Sequence, residues 1–204
     1  MITKKRIGVL GGTFDPIHLG HLLLGEYIRQ QYHLEKIVFI PTGESPHKDK
    51  QHTTDKCDRY KMVELAIKDN ADFLLSGIEV FSEEKSYTIQ TIKKLKEIYK
   101  EDYEIFFIVG ADALLEIESW KDFQELLQAC NFIVAERFGA HDEKLMDKVE
   151  DLIKYYGARI HIADMPRIAI SSSMVRQSVK ENKSIKYLVL DEVERYIYEK
   201  KLYC

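Results

Sequence analysis

Short apolar runs alternate with longer stretches of mixed polarity along the whole chain. The runs "RIGVL" (6–10), "KIVFI" (36–40), "FLLSGIEV" (73–80), "EIFFIVG" (104–110), "NFIVA" (131–135) and "RIHIA" (159–163) are nearly continuous in Val, Ile, Leu and Phe. Such runs suit strands buried on both faces. Between them, helix-period segments predict helices over 19–32, 55–69, 88–100, 111–129 (one helix or two) and 143–156. Two further helices are predicted near 172–181 and 191–201. Strand–helix alternation of this kind predicts an α/β fold, doubly wound and Rossmann-like: a parallel sheet with helices on both faces and a C-terminal helical portion. Ligands of such folds sit at the carboxyl ends of the strands, where the strand order reverses.

The totals narrow this picture. A chain of 204 residues suits one domain, and the expectation is a single domain over 1–204. With 45% hydrophobic residues a full core is available. The net charge of −4 argues against a dedicated nucleic-acid binder, which carries a basic surplus. The three cysteines, Cys57, Cys130 and Cys204, are far apart and form no Cys-x-x-Cys pair. They read as free thiols in a reducing compartment. The first apolar run is too short for a signal segment, and none approaches the roughly 20 residues that span a bilayer. The expectation is a soluble cytoplasmic protein with no membrane partner. The oligomeric state is left open, and a homo-oligomer is compatible with the sequence.

Candidate chemistry begins at "GVLGGTFDPIHLGH", Gly8 to His21, between the first strand and the first helix. A doubly wound fold binds phosphate there. Gly11 and Gly12 would let the backbone turn tightly and a ligand approach closely. Thr13 offers a hydroxyl and an N–H, and Asp15-Pro16 is a turn dipeptide. The stretch is neither a Walker A loop nor Gly-x-Gly-x-x-Gly, so hydride transfer with a bound NAD is a weak reading. His18 and His21, at i and i+3, face the same way on a first helical turn. A helix N-terminus disfavours cations, so both imidazoles should stay neutral until an anion arrives. Gly20 would leave room for a substrate. The bare pair reads first as an ordinary helix start, and a phosphate cradle is the functional alternative. A metal site is the weakest reading, since no third ligand sits at suitable spacing.

Other segments carry donors at useful places. "ISSSMVR", Ile170 to Arg176, sets Ser171, Ser172 and Ser173 ahead of a helix, with Arg176 one turn later. This is a helix cap with a solvated arginine, or an anion site with a guanidinium fork. The stretch 41–55 is loop-like and charged, and such a length is unusual without a role. It contains "SPHKDK", where His47 and Lys48 are candidate phosphate contacts. Gly110 and Asp112 follow a buried strand at its ligand-facing end. Trp120 is the one tryptophan, with core packing as its ordinary role. Tyr87 and Thr88 begin a helix, and Arg137 ends a strand on the same rim.

"GGTFDPIHLGH" closely resembles the His-x-Gly-His signature of the nucleotidyltransferase superfamily, in the form found in bacterial nicotinate-nucleotide adenylyltransferases. "ISSSMVR" resembles the second motif, Ile-Ser-Ser-Thr-x-Ile-Arg, with Ser173 for threonine and Val175 for isoleucine. The resemblance runs to the closing "YLVLDEVERYIYEKKLY". It implies an enzyme that joins ATP to nicotinate mononucleotide, giving deamido-NAD and pyrophosphate, in NAD biosynthesis. It implies catalytic roles for His18, His21 and Arg176. Phosphate contacts would come from Gly11, Gly12, Thr13, Phe14, Lys48 (in a Pro-x-Lys-like "PHK"), Ser172 and Ser173. The mononucleotide side would be Tyr87, Thr88, Gly110, Asp112, Trp120 and Arg137. The family's Arg-Pro-Gly reads Arg137-Phe138-Gly139 here. Mg²⁺ would enter with ATP and need no dedicated protein ligands. The rival readings are nicotinamide mononucleotide or another phosphate acceptor, and a nucleotide sensor without catalysis.

Overall fold

All six predicted strand runs meet in one parallel sheet in the computed structural model, which describes residues 4–44, 53–137, 143–166 and 168–204. The strands are β1 (Lys5–Gly12), β2 (Lys36–Pro41), β3 (Phe73–Leu75), β4 (Tyr103–Gly110), β5 (Asn131–Arg137) and β6 (Arg159–Met165). Their order is β3-β2-β1-β4-β5-β6. The chain winds outward from β1 to β3, then crosses back to lay β4 on the other side of β1. The switch point therefore lies between β1 and β4, where the ligand crevice of a doubly wound fold opens.

The helices cover both faces, as the alternation predicts. Successive strand residues point to opposite sides. Ile37 and Phe39 join one core with Ile28, Met62, Val175 and Ile197, while Val38 and Ile40 join the other with Ile92, Leu114, Leu127 and Leu152. The first face carries α1 (Leu19–Gln31), α2 (Lys56–Ile67), α7 (Ser172–Lys180) and α8 (Asp191–Glu199). The second carries α3 (Thr88–Tyr99), α4 (Ala111–Leu115), α5 (Phe123–Ala129) and α6 (Glu143–Tyr156). The predicted 111–129 segment thus divides into α4 and α5, with a 3-10 turn at Ile117–Ser119 between them. The C-terminal helices are part of the first layer: Tyr196 Oη on α8 donates to Asp58 Oδ1 on α2 at 2.7 Å.

One strand is shorter than its apolar run. β3 stops at Leu75 and does not extend through Val80. The Ser76 N–H still reaches the Phe39 carbonyl at 3.0 Å, and the chain then closes a turn from the Phe81 N–H to the Gly77 carbonyl. A Cβ at Gly77 would lie 2.3 Å from the exposed Phe81 ring, which would have to swing aside. Val80 is apolar because it is buried beneath this turn, and Glu79 is delivered toward the crevice. Among the described residues no helix is long and apolar enough to cross a membrane. The three cysteines are free thiols.

Phe39 links the core to the crevice. It is fully buried, with its ring centroid 4.9 Å from Phe73 and 5.9 Å from Phe14. Phe39→Ala is expected to cost about 3–5 kcal/mol, the usual range for truncating a buried aromatic. A urea titration reads this as a lower midpoint at unchanged slope. A shift below about 1 kcal/mol would mean that the cavity collapses and that Phe39 is not a keystone.

Candidate active site

The turn after β1 is not made by the glycines. Gly11 and Gly12 continue the strand, opposite Ile40 and Pro41 of β2. The chain turns at Phe14, which has φ 49°, and at the cis Asp15–Pro16 bond. Gly12 serves a different need: a Cβ there would lie 3.1 Å from the Phe14 ring, which folds back over the strand end. Phe14 is itself buried and sets its edge against His21, with centroids 5.0 Å apart at 84°. Its ring supports the site from behind and is not on the crevice wall. The room at Gly20 is likewise taken by protein. A Cβ there would come within 3.0 Å of the His18 ring, so glycine makes space for that ring and not for a substrate.

His18 is the N-cap of α1, and His21 stands on its first turn. The rings stack with centroids 3.7 Å apart at 23°. The His18 backbone N–H donates to His21 Nδ1 at 3.2 Å, which places the His21 proton on Nε2. His21 lines the crevice; His18 lies deeper, 7% exposed. His18 Nδ1 has no hydrogen-bond partner among the described residues. Burial lowers the pKa of His18 to about 4. Burial, then the neighbouring His18, lowers that of His21 to about 3. Both imidazoles are therefore neutral donors or acceptors at pH 7, as the helix start alone suggested, with desolvation as the larger cause.

The second serine–arginine segment is bolted to this turn. Ser171 caps α7, its Oγ accepting from the Met174 N–H at 3.2 Å. Ser172 Oγ donates to the Pro16 carbonyl at 2.9 Å. Arg176 Nη1 donates to the Asp15 carbonyl at 2.6 Å, and Nη2 to Ser173 Oγ at 3.3 Å. Ser173 is exposed, and Arg176 is partly so.

The crevice has a volume of about 480 Å³, a usual size for a ligand site. Gly11, Gly12, Thr13 and His21 line one part of it; Tyr87, Thr88, Gly110 and Trp120 line another. Trp120 meets Phe107 edge-on, with centroids 6.2 Å apart. Thr88 opens α3 without capping it, since the N-cap position is Tyr87 and no side chain caps there. Asp112 is exposed and off the wall, its Oδ1 folded beside Gly110. Arg137 closes β5, and its side chain lies outside the described residues, as do His47, Lys48 and Phe138.

Four residues that the sequence reading missed shape the same place. Arg59 is buried, and its guanidinium donates to the carbonyls of Thr13 (2.7 Å), Thr54 (3.0 Å) and Gly43 (3.3 Å). It falls in line with Met62, Val63 and Ala66 on the buried stripe of α2, and an arginine in that stripe was the available signal. Tyr203, near the chain end, donates to Asp15 Oδ1 at 2.7 Å. Glu79 lies on the wall, accepts from Thr91 Oγ1 at 2.7 Å, and has its carboxyl pKa raised by burial. Lys121 is on the wall beside Trp120. No three His, Cys, Asp or Glu side chains among the described residues cluster as a metal cage.

Neutral donors at the switch point of a doubly wound sheet, opening into a crevice with aromatic walls, define a nucleotide-handling site. The comparisons agree. A model of the cytidylyltransferase-like family matches residues 9–178. A protein of Thermoanaerobacter sp. (strain X514), described as "Probable nicotinate-nucleotide adenylyltransferase", is 46% identical over 203 residues, covering 100% of this chain and 96% of its own. One from Desulfitobacterium hafniense (strain DSM 10664 / DCB-2), described in the same words, is 42% identical and covers 98% of this chain and 96% of its own. Among solved structures, Plasmodium falciparum nicotinic acid mononucleotide adenylyltransferase complexed with NaAD matches with a TM-score of 0.78 at 23% identity. That match covers 98% of this chain and 97% of that one, and it speaks to the fold. The chain belongs to the nicotinate-nucleotide adenylyltransferases of the cytidylyltransferase-like family.

Two outcomes follow from the geometry. The folded-state pKa values of His18 and His21, about 4 and about 3, lie below the ordinary 6.5. Below pH 6.5 the unfolded chain takes up protons that the folded state refuses, so stability falls as pH falls. The urea midpoint is expected to drop from pH 6.5 to 5, with a shallower drop in His21→Asn, whose amide oxygen can replace the Nδ1 acceptor. Equal slopes would show that His21 is not held neutral by the fold. Arg59→Met leaves three carbonyls without their donor, at about 1–3 kcal/mol for each acceptor left unpaired. It is expected to lose at least about 3 kcal/mol in the same titration. Wild-type stability would mean that Arg59 is no anchor.

Proposed function

We propose that this chain transfers the adenylyl group of ATP to nicotinate mononucleotide. A phosphate oxygen of the mononucleotide attacks the α-phosphorus, a P–O bond forms, the α–β bridging bond breaks, and pyrophosphate leaves with its electron pair. The phosphate monoester has a second pKa near 6, so it is largely dianionic at neutral pH and needs no general base. Catalysis then rests on positioning and on donors aimed at the reacting phosphorus.

The observation that carries this reading is the stacked neutral pair at the start of α1. His21 presents Nε2–H to the crevice, and His18 holds a buried, unpartnered nitrogen beside it. A triphosphate across Gly11, Gly12 and Thr13 would set its α-phosphate against these rings. Arg176 has guanidinium donors beyond those given to Asp15 and Ser173, and these can meet the leaving pyrophosphate. Ser173 and Lys48 are read as further phosphate contacts. Ser172 is read as acting through its hold on Pro16. Tyr87, Thr88, Gly110 and Trp120 receive the pyridine and its ribose, with Asp112 and Arg137 at the rim. The described residues offer no cluster of acids or histidines for Mg²⁺, so the ion is read as travelling with the triphosphate, and no step is assigned to it.

The test is pyrophosphate release with Mg-ATP and each mononucleotide, acid and amide, compared as kcat/KM. The acid is expected to be preferred. His18→Ala is expected to lower kcat by roughly 10²-fold or more, the size of losing one donor to a charged transition state, with ATP binding better preserved. Normal turnover of His18→Ala would remove the histidine pair from the mechanism. No turnover of the wild type with either mononucleotide would remove the acceptor.

A further inference from the structure

The acid and the amide mononucleotides differ by one negative charge, and among the described residues one cation, Lys121, stands on the wall where the pyridine is placed. Lys121 follows Trp120 and lines the crevice with Tyr87 and Thr88. Its Nζ lies 4.4 Å from the centroid of the Tyr87 ring. It forms no ion pair or hydrogen bond with any carboxylate among the described residues. Among the described residues the wall carries one acid, Glu79, which accepts a hydrogen bond from Thr91 and whose charged form burial disfavours. The start of α3, at Thr88 on the same wall, also favours a negative group over a positive one.

We infer that Lys121 is a specificity-determining residue: its ammonium leaves the Tyr87 face to pair with the carboxylate of the incoming pyridine. This rests on the acceptor assigned above. A cation over a tyrosine in contact with solvent is held by only about 0.5–1 kcal/mol. A charge-assisted hydrogen bond to a carboxylate is stronger, so the exchange is favourable with the acid. With the amide nothing comparable is gained, and the ammonium has no reason to move. The selection is therefore made by which ligand can draw Lys121 off the ring.

The experiment compares kcat/KM for the acid and amide mononucleotides in wild type, Lys121→Met, Lys121→Glu and Lys121→Arg. Lys121→Met is expected to lower the acid-to-amide ratio about tenfold, chiefly through KM for the acid, as suits one charged hydrogen bond. Lys121→Glu should lower it further, and Lys121→Arg should recover most of it. The KM for ATP, read in the same assays, separates a lost charge from a damaged fold. A wild type that prefers the acid, with a ratio unmoved in Lys121→Met and Lys121→Glu, overturns the role of Lys121 and leaves the adenylyl transfer standing. A wild type that uses neither mononucleotide overturns the acceptor, and this inference with it.

Discussion

A single buried guanidinium ties the site together. Arg59 has given up most of its hydration, and that burial lowers its pKa against the nearby charges of Asp15, Asp55 and Glu79. Such burial is tolerable only because the fork is matched to fixed acceptors. Those acceptors belong to three segments: the β1–α1 turn at Thr13, the exit from β2 at Gly43, and the lead into α2 at Thr54. Gly43 and Thr54 also bracket the stretch that contains Lys48. One side chain thus fixes the β1–α1 turn together with Gly43 and Thr54, on either side of that stretch. A lysine could not do this, since one ammonium cannot present a planar fork to three carbonyls.

The same turn is held from the other direction by residues far along the chain. Ser172 and Arg176 grip the Pro16 and Asp15 carbonyls, and Tyr203 grips the Asp15 carboxylate. Burial and the adjacent Asp15 charge push the Tyr203 hydroxyl pKa well up, so it stays a donor. The Leu188 carbonyl takes the Leu19 N–H at 2.9 Å, so the last segment also meets the first turn of α1. The two sequence motifs are therefore one structural unit. The second motif and the chain end make the first one rigid, and rigid donors reorganise little as charge develops.

How much of this could be read from the sequence depended on range. Periodicity is local, and it located all six strands and the helices between them. It failed at 76–80, where Val80 is apolar for burial under a turn and not for pairing with a strand. The histidine pair was legible because an N-cap residue and the residue three positions later meet at the start of a helix whatever surrounds them. The turn at Gly12 and the room at Gly20 were misread because their neighbours in space, the Phe14 and His18 rings, are not implied by spacing. Asp112 was placed at the right strand end, but its side chain folds beside Gly110. Arg59 and Tyr203 act on partners 46 and 188 positions away, which no local pattern encodes.

The charge state of the crevice bears on how the reaction would be driven. A cluster of permanent cations would hold ATP and pyrophosphate about as tightly as the transition state, and such uniform binding does not raise kcat. Buried neutral imidazoles behave differently. In the proposed reaction their attraction to the triphosphate in the ground state would be modest and would grow as charge accumulates at the α-phosphorus and the leaving oxygen. The stacking of His18 on His21 sharpens this, because two imidazolium ions 3.7 Å apart would repel each other. On the proposed reading, permanent positive charge is kept for the ends of the substrates, at Arg176 and Lys121, where it orients them. The centre is left to dipoles that bind most strongly when the bond is breaking.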